Sequence, residues 1–198
     1  MHSLSTQCGY FKKLEEYQMA FDKKKVTKAT KILLEGLGLS HDAEELMETP
    51  SRVAEYWMER VSGYDIDLKI ELKVLPGIID PCPIILENIP FASTCEHHLA
   101  TFAGIATIGY IPGKGGTVGL SKLVRILHGF ANRLQLQERM TKQIAEAIET
   151  HLSPRAWGIR LVATHACMAH RGVKTINVPV TTTITGGEWT ENPPIAFQ

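Results

Sequence analysis

Two short segments concentrate side chains that bind metal ions. CEHH places Cys95, His97 and His98 within four residues, and THAC places His165 and Cys167 two apart. Neighbours in an extended segment point to opposite sides, so His97 and His98 are expected to do different jobs. A Cys-x-x-His pair in a turn can close on one ion, which makes Cys95 and His98 the natural pair. If 157–169 is a strand, Ile159, Leu161, Ala163, His165 and Cys167 share one face. One of the last two would then bind metal while the other works beside it. Two Cys and one His give three protein ligands, the number used by catalytic zinc sites that keep a position open for water; structural sites close with four. Zinc lowers the pKa of its water toward about 7, the range in which neutral imidazoles move protons. The same residues would also suit a surface turn beside a buried strand thiol, or a purely structural zinc.

A second group could hold an anion. GLSKLVR opens a helix with Ser121 near its start, Lys122 in the first turn and Arg125 one turn on. Cations at a helix N-terminus oppose the helix dipole unless an anion is bound there, where free N–H groups already favour negative charge. The preceding glycine-rich loop allows close backbone approach. Arg171, just past THAC, adds a fork suited to phosphate, and Arg52 in TPSR is a further candidate. An ordinary solvated helix end would look similar. Gln137 and Glu138 place an amide beside a carboxylate, which can match a guanine edge; Glu138 also suits a helix N-terminus on charge alone. No Walker-type or dinucleotide fingerprint is present.

The elements that must carry these groups follow from periodicity. Val26, Ala29, Ile32, Leu33 and Leu37 recur at helical spacing, with Gly36 and Gly38 as the stop. A second helix starts with Thr49 as cap and Pro50 at the first helical position, carries Val53, Tyr56, Trp57 and Val61 as its stripe, and ends at Gly63. From about residue 70, β-rich runs bounded by Pro and Gly take over: PIILENIPF, then FAGIATIGYIP. A loop over 112–119 leads into a helix with Leu123, Ile126, Leu127 and Phe130 inward. The next helix turns Met140, Ile144, Ala147 and Ile148 inward, and Pro154 closes it. Two strands, WGIRLVATHACMAH and KTINVPVTTTITGG, are joined by a turn at Arg171 and Gly172. The expected class is α+β: a mainly antiparallel sheet with two long helices on one face. An N-terminal helical region, 1–70, precedes a catalytic domain, 71–198, and the tail after Gly187 is irregular.

Bulk properties narrow the partners. Lys+Arg and Asp+Glu both number 21 in 198 residues, so no net charge draws the chain to nucleic acid or an anionic membrane. No apolar run approaches the roughly 20 residues of a membrane span, and the N-terminus lacks the apolar stretch of a secretory signal. A cytoplasmic protein is expected. Its cysteines are then thiols or ligands rather than disulfides, with Cys8 and Cys82 structurally incidental.

TPSRVAEYW, CEHHL, GLSKLVRI, RLQLQERMTKQIA, THACM and RGV, in this order and spacing, resemble the type I GTP cyclohydrolases over about residues 26–185. The resemblance implies a tunnel fold and a homodecamer of two face-to-face pentamers, with sites at subunit interfaces. It implies Zn2+ on Cys95, His98 and Cys167, and proton transfer by His97 and His165. Ser121, Lys122, Arg125 and Arg171 would contact ribose and triphosphate with help from Arg52, while Gln137 and Glu138 read guanine. The implied reaction opens the imidazole ring of GTP, releases C8 as formate and closes a new ring to 7,8-dihydroneopterin triphosphate. Thr101 stands where the family usually has Pro, and His170 where it has an apolar residue. Two competing readings are a tunnel-fold reductase acting on a deazaguanine nitrile, for which neither a second nucleophilic-Cys motif nor an NADPH motif is present, and a zinc-stabilised ring without activity.

Overall fold

The computed structural model describes residues 20–75 and 82–198. Cys8 and the N-terminal segment read for a signal lie outside the described residues. The chain divides into two compact units, one ending at Asp65 and one running from Ile66 to Gln198.

In the first unit, α1 (Lys23–Gly36) packs on α2 (Thr49–Arg60), followed by a short 3-10 turn over Ser62–Asp65. Asp22 caps α1 by accepting from the Lys25 N–H, and Gly38, at φ +76°, lies just beyond its end. The expected apolar row of α1 is not the buried face. Thr30 and Leu34 are buried, whereas Ile32, Leu33 and Leu37 are 57%, 61% and 65% exposed. The reason lies partly in Thr30: its hydroxyl donates to the Val26 carbonyl, so it can sit inward without an unmet polar group. At α2 the N-cap is Glu48, one residue before Thr49, so Pro50 is the second helical residue rather than the first, still within the turn whose N–H groups lack helical partners.

The second unit is a five-stranded sheet under two helices. Its strands are β1 (Ile84–Cys95), β2 (Thr101–Ile111), β3 (Leu134–Gln135), β4 (Ala156–His165) and β5 (Val180–Gly187), in the order β3-β1-β2-β4-β5. All pairings are antiparallel except the short β1–β3 pair. A one-turn α3 (Leu68–Glu71) precedes the sheet; α4 (Leu120–Ala131) and α5 (Gln137–Leu152) cover it. The expected inward residues Leu123, Ile126, Leu127, Phe130, Met140, Ile144, Ala147 and Ile148 are all buried. They meet Phe102, Ala106, Ile108 and Tyr110 of β2 and Ile159, Leu161 and Ala163 of β4 in one core. The period of 3.6 on the helices and of 2 on the strands both point to it. A small second cluster forms at Ile111, Ala156, Trp189 and Phe197, so the tail is tied down by a 3-10 turn over Ile195–Phe197.

Two features departed from the periodic reading. Asn88, at φ +56°, sits where the β1–β2 register shifts between Leu86 and Ile89, a bulge that polar side chains in the left-handed region tolerate. Gly104 faces Ala163 so closely that a Cβ would come within 1.9 Å of the Val162 carbonyl oxygen.

Leu127→Ala is expected to lower the unfolding free energy by about 2–5 kcal/mol, read as a shift in denaturant midpoint at constant slope. A second outcome concerns acid. Burial, and then Lys69, hold His151 at the end of α5 below the ordinary imidazole pKa, with Asp67 opposing. The unfolded chain therefore takes the proton first as pH falls. The associated stability is intact above the ordinary imidazole value and is lost as pH drops through the folded value. His151→Asn should flatten the fall in melting temperature between about pH 7 and 5.5.

Candidate metal centre

Strand register assembles this centre. β1 ends at Cys95 and β4 at His165, and both pair with the start of β2: Thr94 faces Thr101, and His165 faces Phe102. After Cys95 the chain turns back. The Cys95 N–H donates to the Ala100 carbonyl at 2.8 Å, the Glu96 N–H donates to the Gln135 carbonyl at 3.1 Å, and Leu99 takes φ +53°. Thr101 is the first residue of β2, a position that also tolerates proline. Beyond His165 the strand expected to run through residue 169 gives way to a helical turn, α6 (Ala166–Ala169). Ala and Met favour helix, and the β-branched content ends at Thr164. Cys167 therefore does not share a strand face with His165; the turn carries it toward Cys95. The side-chain donor atoms of Cys95, His98 and Cys167 all lie within 4.8 Å of one another.

Burial raises the Cys167 thiol pKa, the neighbouring Cys95 raises it further, and Arg171 pulls the other way. Arg171 Nη1 approaches His98 Nε2 at 2.5 Å. A guanidinium can only donate, so the imidazole lone pair is at Nε2. Two sulfurs around a tetrahedral zinc sit about 3.8 Å apart, given Zn–S bonds of about 2.3 Å, which the observed cluster can accommodate. The residues fit a three-ligand S,S,N metal site.

Sequence reasoning missed the groups that hold the turn. Arg139 forks onto the Glu96 carboxylate, with a second contact of 3.3 Å, and its Nε donates to Gln135 Oε1 at 3.4 Å. Gln135 in turn donates to Gln143 Oε1 at 2.8 Å and to the Phe130 carbonyl at 3.0 Å. The charged residue inside CEHH was the available signal: Glu96 stands between a ligand and a histidine with no chemistry of its own.

Of the remaining histidines, His97 is exposed, its ring edge-on to His98 at 6.3 Å between centroids. His165 stacks on Phe102 at 4.7 Å and 2°, and burial lowers its pKa against the opposing charge of Glu138. His165 Nε2 lies 2.8 Å from Gln137 Oε1. The Gln137 amide, read from sequence as facing guanine, is instead 1% exposed and bonded inside the chain, while Glu138 beside it is exposed. His170 is exposed and ends α6.

The cations separate into two places. Lys122 and Arg125 surround the Glu71 carboxylate, at 3.2 and 3.8 Å, and Ser121 is exposed beside them. This is the end of the sheet where the Tyr110 hydroxyl accepts the Val118 N–H at 3.0 Å. The other end of α4 lies at Ser93, whose hydroxyl donates to the Ala131 carbonyl at 2.8 Å, next to Cys95. Along α4, Lys122 lies about 13 Å and Arg125 about 9 Å from Ala131, the residue at the thiol end. Arg171 alone of the expected phosphate contacts stands at the metal end. Arg52, in the other unit, pairs with Glu48.

Cys167→Ser should abolish stoichiometric metal binding, and Arg139→Ala should weaken it about 10–100-fold by freeing the turn, both measurable by competition with a chromophoric chelator. Because Cys167 holds its proton at neutral pH, metal uptake should release protons, and affinity should rise with pH.

The sequence profile described as GTP cyclohydrolase I matches residues 26–196. A "GTP cyclohydrolase 1" of Pelotomaculum thermopropionicum is 44% identical over 78% of this chain and 82% of its own length. Those of Corynebacterium glutamicum and Streptococcus thermophilus are 41% and 39% identical, covering 87% and 86% of this chain and 88% and 91% of theirs. Among solved structures, that of the archaeosine synthase QueF-Like in the apo form aligns with 55% of this chain and 96% of its own, at 16% identity and a TM-score of 0.43. With a profile match over most of its length, relatives at this identity and an antiparallel sheet under two long helices, the chain belongs to the GTP cyclohydrolase I family.

Proposed function

We propose that this protein is a GTP cyclohydrolase I that opens the imidazole ring of GTP hydrolytically, with release of formate and formation of 7,8-dihydroneopterin triphosphate. The observation that carries the reading is the convergence of Cys95, His98 and Cys167 beside a His165 held by stacking and hydrogen bonding. Zinc held by those three residues would supply Lewis acidity and lower the pKa of water at its open position to about 7. His165 and His97 are the proton carriers, His165 kept neutral by burial at neutral pH. The Glu138 carboxylate, exposed next to His165, accepts from the guanine ring N–H and exocyclic amine. Ser121, Lys122, Arg125 and Arg171 bind ribose and triphosphate, with Arg52 assisting. The protein acts in the cytoplasm; among the described residues no helix is long and apolar enough to cross a membrane.

The separation of the cations from the thiols favours a site shared between copies. One GTP would meet the α4 end of one chain and the metal end of another, in a homodecamer of two pentamers. Two features suit such contacts: β5 pairs only with β4 among the described strands, and the stretch after the metal turn exposes Val173, Ile176 and Val178.

The zinc-loaded protein should release formate from GTP in step with pterin formation, and His165→Ala should slow it by at least about 10²-fold. Absence of formate would end the reading. Lys122→Ala and Cys167→Ser chains should each be inactive alone and regain activity when co-assembled. Failure of mixed assemblies to recover any turnover would rule out the shared site.

A further inference from the structure

Gln137 is the first residue of α5, yet its side chain points into the sheet rather than to solvent. Its Nε2 lies 2.9 Å from the Val180 carbonyl, 3.2 Å from the Leu161 carbonyl and 3.2 Å from Thr182 Oγ1. Backbone carbonyls only accept, so this end of the amide must be the NH2 group. Flipping it would set a carbonyl oxygen against two others in a buried place.

The hydroxyls nearby close the argument. Thr141 Oγ1 donates to the Gln137 carbonyl at 2.8 Å, so in its 2.6 Å contact with Thr182 Oγ1 it accepts. Thr182 thereby spends its proton on Thr141 and is left with lone pairs facing the Gln137 amide. A one-way chain runs from the Gln137 NH2 through two threonines back to the Gln137 backbone carbonyl. The amide oxygen, Oε1, is left as the atom facing His165 Nε2 at 2.8 Å. A carbonyl oxygen cannot donate, so His165 Nε2 carries the hydrogen. Phe102, stacked at 2° between planes, holds the plane of the ring. His165 Nδ1 has no hydrogen-bond partner among the described residues.

We propose that Gln137 is a positioning residue that fixes His165 as the Nε2–H tautomer, so that Nδ1 alone can serve as the ring's acceptor toward substrate. This rests on the proposed GTP chemistry for its consequence but not for the tautomer itself. It also assigns a different role to the amide from guanine recognition, which falls to Glu138. The second nitrogen of a histidine commonly sets which one reacts.

Neutron diffraction on perdeuterated, zinc-loaded wild-type crystals without substrate reads the tautomer directly. Deuterium is expected on His165 Nε2 and absent from Nδ1; deuterium on Nδ1 with none on Nε2 overturns the proposal whether or not GTP is turned over. A kinetic arm uses Gln137→Met, similar in shape but unable to accept. Its kcat should fall about 10²-fold while KM for GTP stays within about threefold, at wild-type zinc content. A rise in KM with kcat unchanged would return the amide to guanine binding and overturn the positioning role. If Gln137→Met does not fold, the wild-type neutron result decides.

Discussion

The pairing of β2 with both β1 and β4 is the constraint on which everything else depends. Cys95 and Cys167 are 72 positions apart in sequence order, and nothing local brings them together. They meet because β1 and β4 flank one central strand in a register that ends both at its first residues. A slip of one residue in either pairing would turn every side chain of that strand to the other face. It would also move one thiol by about 3.3 Å along the sheet, a large part of the 4.8 Å within which the donor atoms lie. The core beneath the sheet thus does more than stabilise it. Phe102, Ile108, Ile159 and Leu161 fix the register that fixes the metal geometry.

Much of this architecture was legible in the sequence because it rests on strong periodicity. The eight residues the spacing named on α4 and α5 are all buried, but α5 also buries the polar Gln137, Thr141 and Gln143, which apolar spacing does not mark. The ligand trio was legible only through resemblance; the residues alone left His165 and Cys167 as alternatives. That ambiguity had a physical source. The strand was expected to run through Cys167, and alternation would then have set His165 and Cys167 on one face. Helix-favouring Ala166, Met168 and Ala169 end the strand at His165, and the break separates the two roles.

What was not legible depends on contacts between residues far apart in sequence. Glu96 with Arg139 and Gln137 with His165 have no pattern that marks them in one dimension. Helix α1 shows the reverse failure: a regular apolar row exists, yet Thr30 and Leu34 are the buried residues.

The central claim is that two sulfurs and one imidazole share a metal ion. Zinc K-edge X-ray absorption on the purified protein tests it most directly. The account predicts one zinc per chain with two sulfurs at about 2.3 Å and nitrogen or oxygen neighbours at about 2.0–2.1 Å. A zinc shell of only nitrogen and oxygen, or protein that retains no zinc, would contradict it.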